Sequence, residues 1–154
     1  MPIHTQQIHQ HTDDQDVIHR YCLLSSVELY RMDGRRMEVT LNQQHIPHFT
    51  ALLDTGASNT YLGQGLVDSQ GLVRVRESTA KMGNGEGATG IYEEIRMLLP
   101  HNLGTFIIQP RTTGAHFKSI GNPHHLIIGM DILSQGIFSI NGPANEFTLE
   151  FPEQ

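Results

Sequence analysis

Asp54 follows an apolar run and precedes Thr55 and Gly56, a combination that can carry catalysis. The run Ala51–Leu53 predicts a short strand that is buried on both faces. A carboxylate at the end of such a strand lies against apolar neighbours, where ionisation is costly unless another group compensates. Gly56 permits a sharp turn, and Thr55 supplies a hydroxyl that can hydrogen-bond across it. From these residues alone, the stretch predicts either a catalytic acid or a core strand that ends in a polar turn.

A second apolar element lies further along the chain, with its glycine 75 residues beyond Asp54. The run Leu126–Ile128 ends at Gly129, and a short helix over Met130–Ser134 is predicted to follow. In this order and separation, the Asp-Thr-Gly stretch and this element resemble the retropepsin-like (retroviral-type) aspartic peptidases. The resemblance covers residues 27–151. It implies that the strand before Gly129 passes behind the acid-bearing turn and braces it.

The resemblance implies an all-β fold, a closed β-barrel lobe with one short helix. The chain carries one Asp-Thr-Gly and no second copy of it. Aspartic-peptidase chemistry uses two facing carboxylates that share a proton, because like charges at such range cannot both ionise easily. A working site therefore requires a two-fold symmetric homodimer in which each chain contributes Asp54. The predicted function is an aspartic endopeptidase that cleaves a peptide or protein substrate without a metal or other cofactor.

The resemblance also implies roles for the neighbours of Asp54. Thr55 hydrogen-bonds across the two-fold axis, Gly56 allows that close approach, and Ala57 and Ser58 line the substrate groove. Gly129 supports the active-site turn from behind.

Two departures from the retroviral pattern concern the dimer. Retroviral chains usually carry an acid just after Asp-Thr-Gly-Ala and an arginine after the downstream glycine, and these two residues pair. Here the same places hold Ser58 and Met130. This ion pair therefore cannot support the dimer. The chain also continues past the short helix into a further predicted hairpin over Phe138–Phe151.

The segment 83–90 is rich in glycine and formally matches a dinucleotide fingerprint at Gly85, Gly87 and Gly90. The residues after it alternate between apolar and polar as a strand does, whereas that fingerprint requires a helix. The segment is therefore predicted to be a hairpin tip. It stands where retropepsin-like chains carry the flap, which makes Gly85, Glu86 and Gly87 candidate substrate-binding residues. An ordinary mobile turn is the alternative.

Composition limits the classes of protein that this chain can belong to. A length of 154 residues predicts one domain, assigned to residues 21–154. A formal charge of −6 and the lack of a basic patch argue against nucleic-acid binding. Cys22 is the single cysteine, which fits a reducing compartment. No stretch is long and apolar enough for a membrane span, so a cytoplasmic location without a membrane partner is expected.

The first twenty residues are rich in histidine, glutamine and aspartate and show no apolar period. They are predicted to be a disordered tail. The tail's histidines have no fixed ligand spacing, so no metal site is expected there. The histidines of the loop 111–125 are expected to lie on the surface of that loop.

A second function remains open at this point. A catalytically inactive retropepsin-like dimer could bind extended peptides or partner proteins. The intact Asp54-Thr55-Gly56 favours the peptidase, because a binding module gains nothing from a pair of acids that repel each other.

Overall fold

The computed structural model describes residues 2–82, 85–112 and 126–154, which form sixteen strands and two short helices. The strands are β1 (Ile3–Gln7), β2 (His9–Thr12), β3 (Ile18–Tyr21), β4 (Leu23–Arg31), β5 (Val39–Leu41), β6 (Gln44–Ile46), β7 (Phe49–Leu53), β8 (Tyr61–Leu62), β9 (Arg74–Met82), β10 (Gly85–Tyr92), β11 (Ile95–Leu99), β12 (Gly104–Ile108), β13 (Arg111–Thr112), β14 (Leu126–Ile128), β15 (Ile137–Asn141) and β16 (Glu146–Glu150). The helices are α1 (Gln64–Gln70) and α2 (Met130–Leu133).

Nine strands form the principal sheet, in the order β12-β11-β4-β7-β14-β8-β13-β10-β9. β7 lies inside the sheet, antiparallel to β4 and parallel to β14. The all-β prediction is confirmed, and of the predicted closed barrel the described residues show a curled half-barrel sheet. The sheet ends at β12 and β9, which do not pair with each other. β9 pairs with β10 along its length, and the two form a hairpin at that end of the sheet.

Alternation along β7 separates the two faces of this sheet. Phe49, Ala51 and Leu53 are buried in the core, whereas Thr50 and Leu52 between them are only half-buried. The neighbouring β14 is buried throughout, as expected for a central strand. The core face and the half-exposed face of the sheet can therefore be told apart residue by residue.

The structure has two short helices, whereas the retropepsin-like resemblance implied one. The additional helix is α1, which buries Leu66 and Val67 against the core. It ends at Gly71, whose φ of 63° lies in the left-handed region that glycine tolerates without strain. The weak apolar pattern of residues 59–71 predicts a loop or a single helical turn that ends near Gly71, and the structure has a seven-residue helix there.

The N-terminal residues are not a disordered tail, and that prediction is wrong. β1 pairs antiparallel with β16, with Ile3 opposite Glu150 and Gln7 opposite Glu146, and completes a three-stranded sheet in the order β1-β16-β15. β2 and β3 form a separate hairpin. The physical reason is that strand pairing uses backbone groups, so a polar segment can complete a sheet if a partner edge is available. Ile8, at 9% exposure, then joins the core.

No helix in the described part of the chain has the length and apolar character that a membrane crossing would require.

Candidate active site

The Asp54 carboxylate lies at the end of β7, on the turn that follows this strand. The Asp54 N–H donates to the Ile128 carbonyl at 3.0 Å and so continues the β7–β14 ladder by one residue. The Gly56 N–H donates to Asp54 Oδ1 at 2.8 Å, which orients the carboxylate. Asp54 itself is half-buried, and Thr55 and Gly56 are exposed. The turn thus presents a fixed carboxylate to solvent.

The second element braces this turn, as predicted. β14 runs parallel to β7, with Ile128 opposite Leu53. Past β14, the Met130 N–H donates to the Ala57 carbonyl at 2.7 Å and the Asp131 N–H donates to the Ser58 carbonyl at 3.2 Å. The start of α2 therefore holds the residues that immediately follow Asp-Thr-Gly.

Gly129 lies where two backbone segments come closest. A Cβ atom on this residue would lie 2.7 Å from the Ala57 carbonyl oxygen and closer still to the Asn59 carbonyl oxygen. Real Cβ atoms do not approach backbone atoms so closely, and neither carbonyl can move without displacing the turn. Glycine is needed here for the close approach, because the Gly129 φ of −99° is open to any residue.

Asp131 and Thr60 form a contact that the sequence reasoning missed. Asp131 Oδ2 accepts the Thr60 N–H at 3.0 Å, and Oδ1 accepts the Thr60 hydroxyl at 2.8 Å. Thr60 is fully buried, so these bonds satisfy polar groups that have no access to water. The place of Asp131 in the first turn of the short helix α2 already favours an acid there. In the structure its carboxylate also fixes the far end of the Asp54 turn.

The remaining predicted site residues fall into two groups. Ala57 and Ser58 lie beside Asp54, half-buried and exposed respectively. Gly85, Glu86 and Gly87 lie on β10 of the β9–β10 hairpin, where Gly85 pairs with Met82. The strands of the predicted hairpin are therefore present, whereas its turn, residues 83–84, lies outside the described residues.

The histidine-rich segments can be placed only in part. His9 and His11 lie on β2, and His19 lies on β3 with its ring stacked near that of His11. In the parts of the chain that the structure describes, no three His, Cys, Asp or Glu side chains gather as they would around a metal ion. The histidines of residues 113–125 lie outside those parts.

Of the comparisons with known proteins, the one with solved structures gave a match. No protein-family model matches the chain, and no curated protein matches it. Among solved structures, the chain is similar to the crystal structure of a retropepsin-like aspartic protease from Rickettsia conorii. The two are 14% identical, the match covers 87% of this chain and 96% of that chain, and the TM-score is 0.46. This neighbour is of the family that the motifs around Asp54 and Gly129 resemble.

Proposed function

We propose that the protein is an aspartic endopeptidase that works as a homodimer. The observation that carries the proposal is the Asp54 turn, where a half-buried carboxylate is oriented by the Gly56 N–H and held from behind by Ile128. An Asp at an ordinary turn also accepts such an i+2 N–H, but here the turn is braced in addition by β14 and by the start of α2. The braced geometry is what a catalytic group requires.

The proposed reaction uses two Asp54 carboxylates, one from each chain. At close range the two acids share one proton, because both cannot ionise together. The ionised carboxylate removes a proton from a water molecule while the protonated one donates to the oxygen of the scissile carbonyl. The water oxygen bonds to the carbonyl carbon and gives a diol. The peptide C–N bond then breaks as the amine takes up the proton that the first carboxylate removed from water, and a diol hydroxyl returns a proton to the second carboxylate. No covalent intermediate with the protein is formed.

Two exposed features of the chain suit contact with a second copy. Thr55 and Gly56 are exposed at its tip, where Thr55 is proposed to hydrogen-bond to the partner and Gly56 to permit the approach. The edge strand β15 exposes two apolar side chains, Ile137 and Ile140. An apolar edge of this kind is available for pairing with another chain. It offers the dimer a contact that does not need the ion pair missing at Ser58 and Met130.

The β9–β10 hairpin is proposed to close over a bound peptide. The hairpin forms one end of the principal sheet. From there the sheet continues through β13, β8 and β14 to β7, the strand that ends at the Asp54 turn. Backbone groups of Gly85, Glu86 and Gly87 would then contact the substrate from above, and Ala57 and Ser58 would contact it from below. A peptide held between the two surfaces would be shielded from water other than the one that reacts. The single cysteine, Cys22, fits activity in a reducing compartment such as the cytoplasm.

The test is cleavage of an unfolded protein at mildly acidic pH, with Asp54→Asn compared to the wild type. Asp54→Asn is nearly isosteric, so the variant is expected to fold and to lose all cleavage. Asp68→Asn is the matched control, because Asp68 is an exposed acid on α1 and its loss changes the net charge equally. The control is expected to cleave as the wild type does. Full turnover by folded Asp54→Asn protein would end the proposal.

A second measurement tests the shared site. Specific activity is expected to rise with protein concentration and then level off, because only the dimer holds two acids. Adding a ninefold excess of Asp54→Asn chains is expected to lower wild-type activity to about one tenth, since most wild-type chains then pair with inactive ones. Activity that does not depend on concentration and is unaffected by the variant would rule out a shared site.

A further inference from the structure

Arg111 is connected directly to the candidate active site. It begins β13, and its N–H donates to the Thr60 carbonyl at 3.1 Å. Thr60 is the residue that Asp131 holds by two hydrogen bonds. The backbone that carries Arg111 is therefore fixed to the far end of the Asp54 turn.

The side chain of Arg111 shares a sheet face with Asp54. Directly paired residues lie on the same face, and here Arg111 pairs with Tyr61, Tyr61 with Ile127, and Ile127 with Leu52. Asp54 follows Leu52 by two residues and so returns to that face. The next row of paired residues lies on the opposite face and is buried in the core: Leu24, Ala51, Leu126, Leu62 and Thr112.

This face lies between the Asp54 turn and the β9–β10 hairpin. β13 pairs with β8 on one side and with β10 on the other, where Arg111 is opposite Ile91. Three strand spacings separate β7 from β13, which amounts to about 14 Å between their backbones. The arginine side chain extends several ångströms from β13, and an extended peptide advances about 3.3 Å per residue. A peptide cut at Asp54 would therefore bring a side chain two to four residues from the cut bond within reach of Arg111.

The charge of Arg111 has no acidic partner among the described residues. Four arginines have an acidic partner: Arg31 with Glu93, Arg35 with Asp33, Arg36 with Glu28 and Arg74 with Glu77. Of the other four, Arg111 is half-buried, whereas Arg20, Arg76 and Arg96 are exposed. The segment that follows it, residues 113–125, contains no aspartate or glutamate. A half-buried guanidinium without a partner loses hydration that an acidic ligand would replace.

We infer that Arg111 is a specificity-determining residue that pairs with an acidic side chain of the substrate, two to four residues from the cleaved bond. This inference rests on the proposed function, because it takes the peptide to lie between the Asp54 turn and the hairpin. A guanidinium binds a carboxylate through two parallel hydrogen bonds, which an uncharged amide of the same shape cannot match. The substrate class is therefore acidic peptides in extended conformation.

The experiment compares N-acetylated, C-amidated peptides that carry glutamate, glutamine or lysine at each of the four positions on either side of the cut bond. Capped ends ensure that the varied side chain is the carboxylate being tested. At one or more positions, wild type is expected to favour glutamate in kcat/KM by about 3- to 10-fold, as for a charged hydrogen bond at a half-exposed site. Arg111→Gln is expected to abolish the preference for glutamate in kcat/KM. Arg111→Glu is expected to replace it with a preference for lysine. Arg96→Gln, which removes an exposed arginine on β11, is expected to keep it.

A second readout separates this inference from the proposed function. Binding of the same peptides is measured on Asp54→Asn protein, with and without Arg111→Gln. If peptides are cleaved with a preference for glutamate that Arg111→Gln leaves unchanged, the inference is overturned and the proposed peptidase function stands. No cleavage by wild type, together with glutamate-selective binding that depends on Arg111, would overturn the peptidase and support the recognition of acidic peptides. Absence of any glutamate preference in both readouts would overturn the inference.

Discussion

The Asp54 turn and the N-terminal segment 3–21 are both polar, yet the molecule holds them in different ways. The turn is held at specific atoms, through the close approach at Gly129 and the carboxylate of Asp131. The N-terminal segment is held by strand pairing, β1 with β16 and β2 with β3, which requires no particular side chain. A polar stretch can thus be ordered either by its residue types or by pairing with an available strand edge. The first kind leaves a motif in the sequence and the second does not.

The largest effect is expected from Gly129→Ala, which alters a specific contact behind the turn. The added methyl group would clash with the Ala57 and Asn59 carbonyl oxygens, and relief requires moving the backbone that follows Asp54. We expect unfolding free energy to fall by about 2–4 kcal/mol, in the range for overpacked or strained buried sites. Any cleavage activity should fall with it. Urea unfolding followed by circular dichroism measures the change.

Gly142→Ala is the matched control for this substitution. A Cβ atom on Gly142 would meet nothing within 4 Å, and the residue is exposed. Its stability should stay within about 0.5 kcal/mol of the wild type, as for ordinary surface changes. Equal losses in the two variants would show that the approach at Gly129 is not special.

An intermediate effect is expected when β1 is removed by deleting residues 2–7. The deletion exposes the paired edge of β16 and the neighbours of Ile8, so the free energy of unfolding should fall by about 1–3 kcal/mol. A thermal melt measures this against the full-length chain. Ile3→Thr is the control, because it removes an exposed apolar side chain while keeping a residue that suits a strand. A deletion that melts with the wild type would mean that the β1 pairing contributes nothing.

Features held by specific residue types could be predicted from the sequence, whereas features held by strand pairing could not. The Asp54 turn and its brace at Gly129 could be located from the sequence, because each is marked by residue type beside an apolar strand. The bonds from Thr60 to Asp131 join residues 71 apart, and neither residue type points to the other. The order of the N-terminus was missed because an apolar period is a sign of core burial, whereas β1 is held mainly through its backbone. Closure of the sheet could not be judged from the sequence, because it depends on whether two distant edges meet.

The smallest effect concerns the β2–β3 hairpin, which pairs with no other strand of the described residues. Asp13 lies at its turn, where the side chain accepts hydrogen bonds from His19 and from the backbone N–H groups of Val17 and Gln15. The His19 bond first, and then the two backbone bonds, lower the pKa of Asp13 from 3.8 to about 2. The folded hairpin therefore favours the ionised carboxylate.

The sign of the pH dependence follows from that lowered pKa. Because the pKa is lower in the folded hairpin, the contribution of Asp13 is complete above its usual value of 3.8 and is lost as the pH falls towards about 2. We expect amide-exchange protection of residues 9–21, corrected for intrinsic rates, to decrease over that interval. At neutral pH, Asp13→Ala should loosen the same amides, whereas Asp14→Ala, which replaces an exposed neighbouring acid, should not. The melting temperature of the whole chain should barely change in either variant, because the β2–β3 hairpin pairs with no other strand of the described residues and can open locally. An Asp13 carboxyl that titrates near 3.8 by NMR, or equal loosening by both variants, would show that these hydrogen bonds do not order the turn.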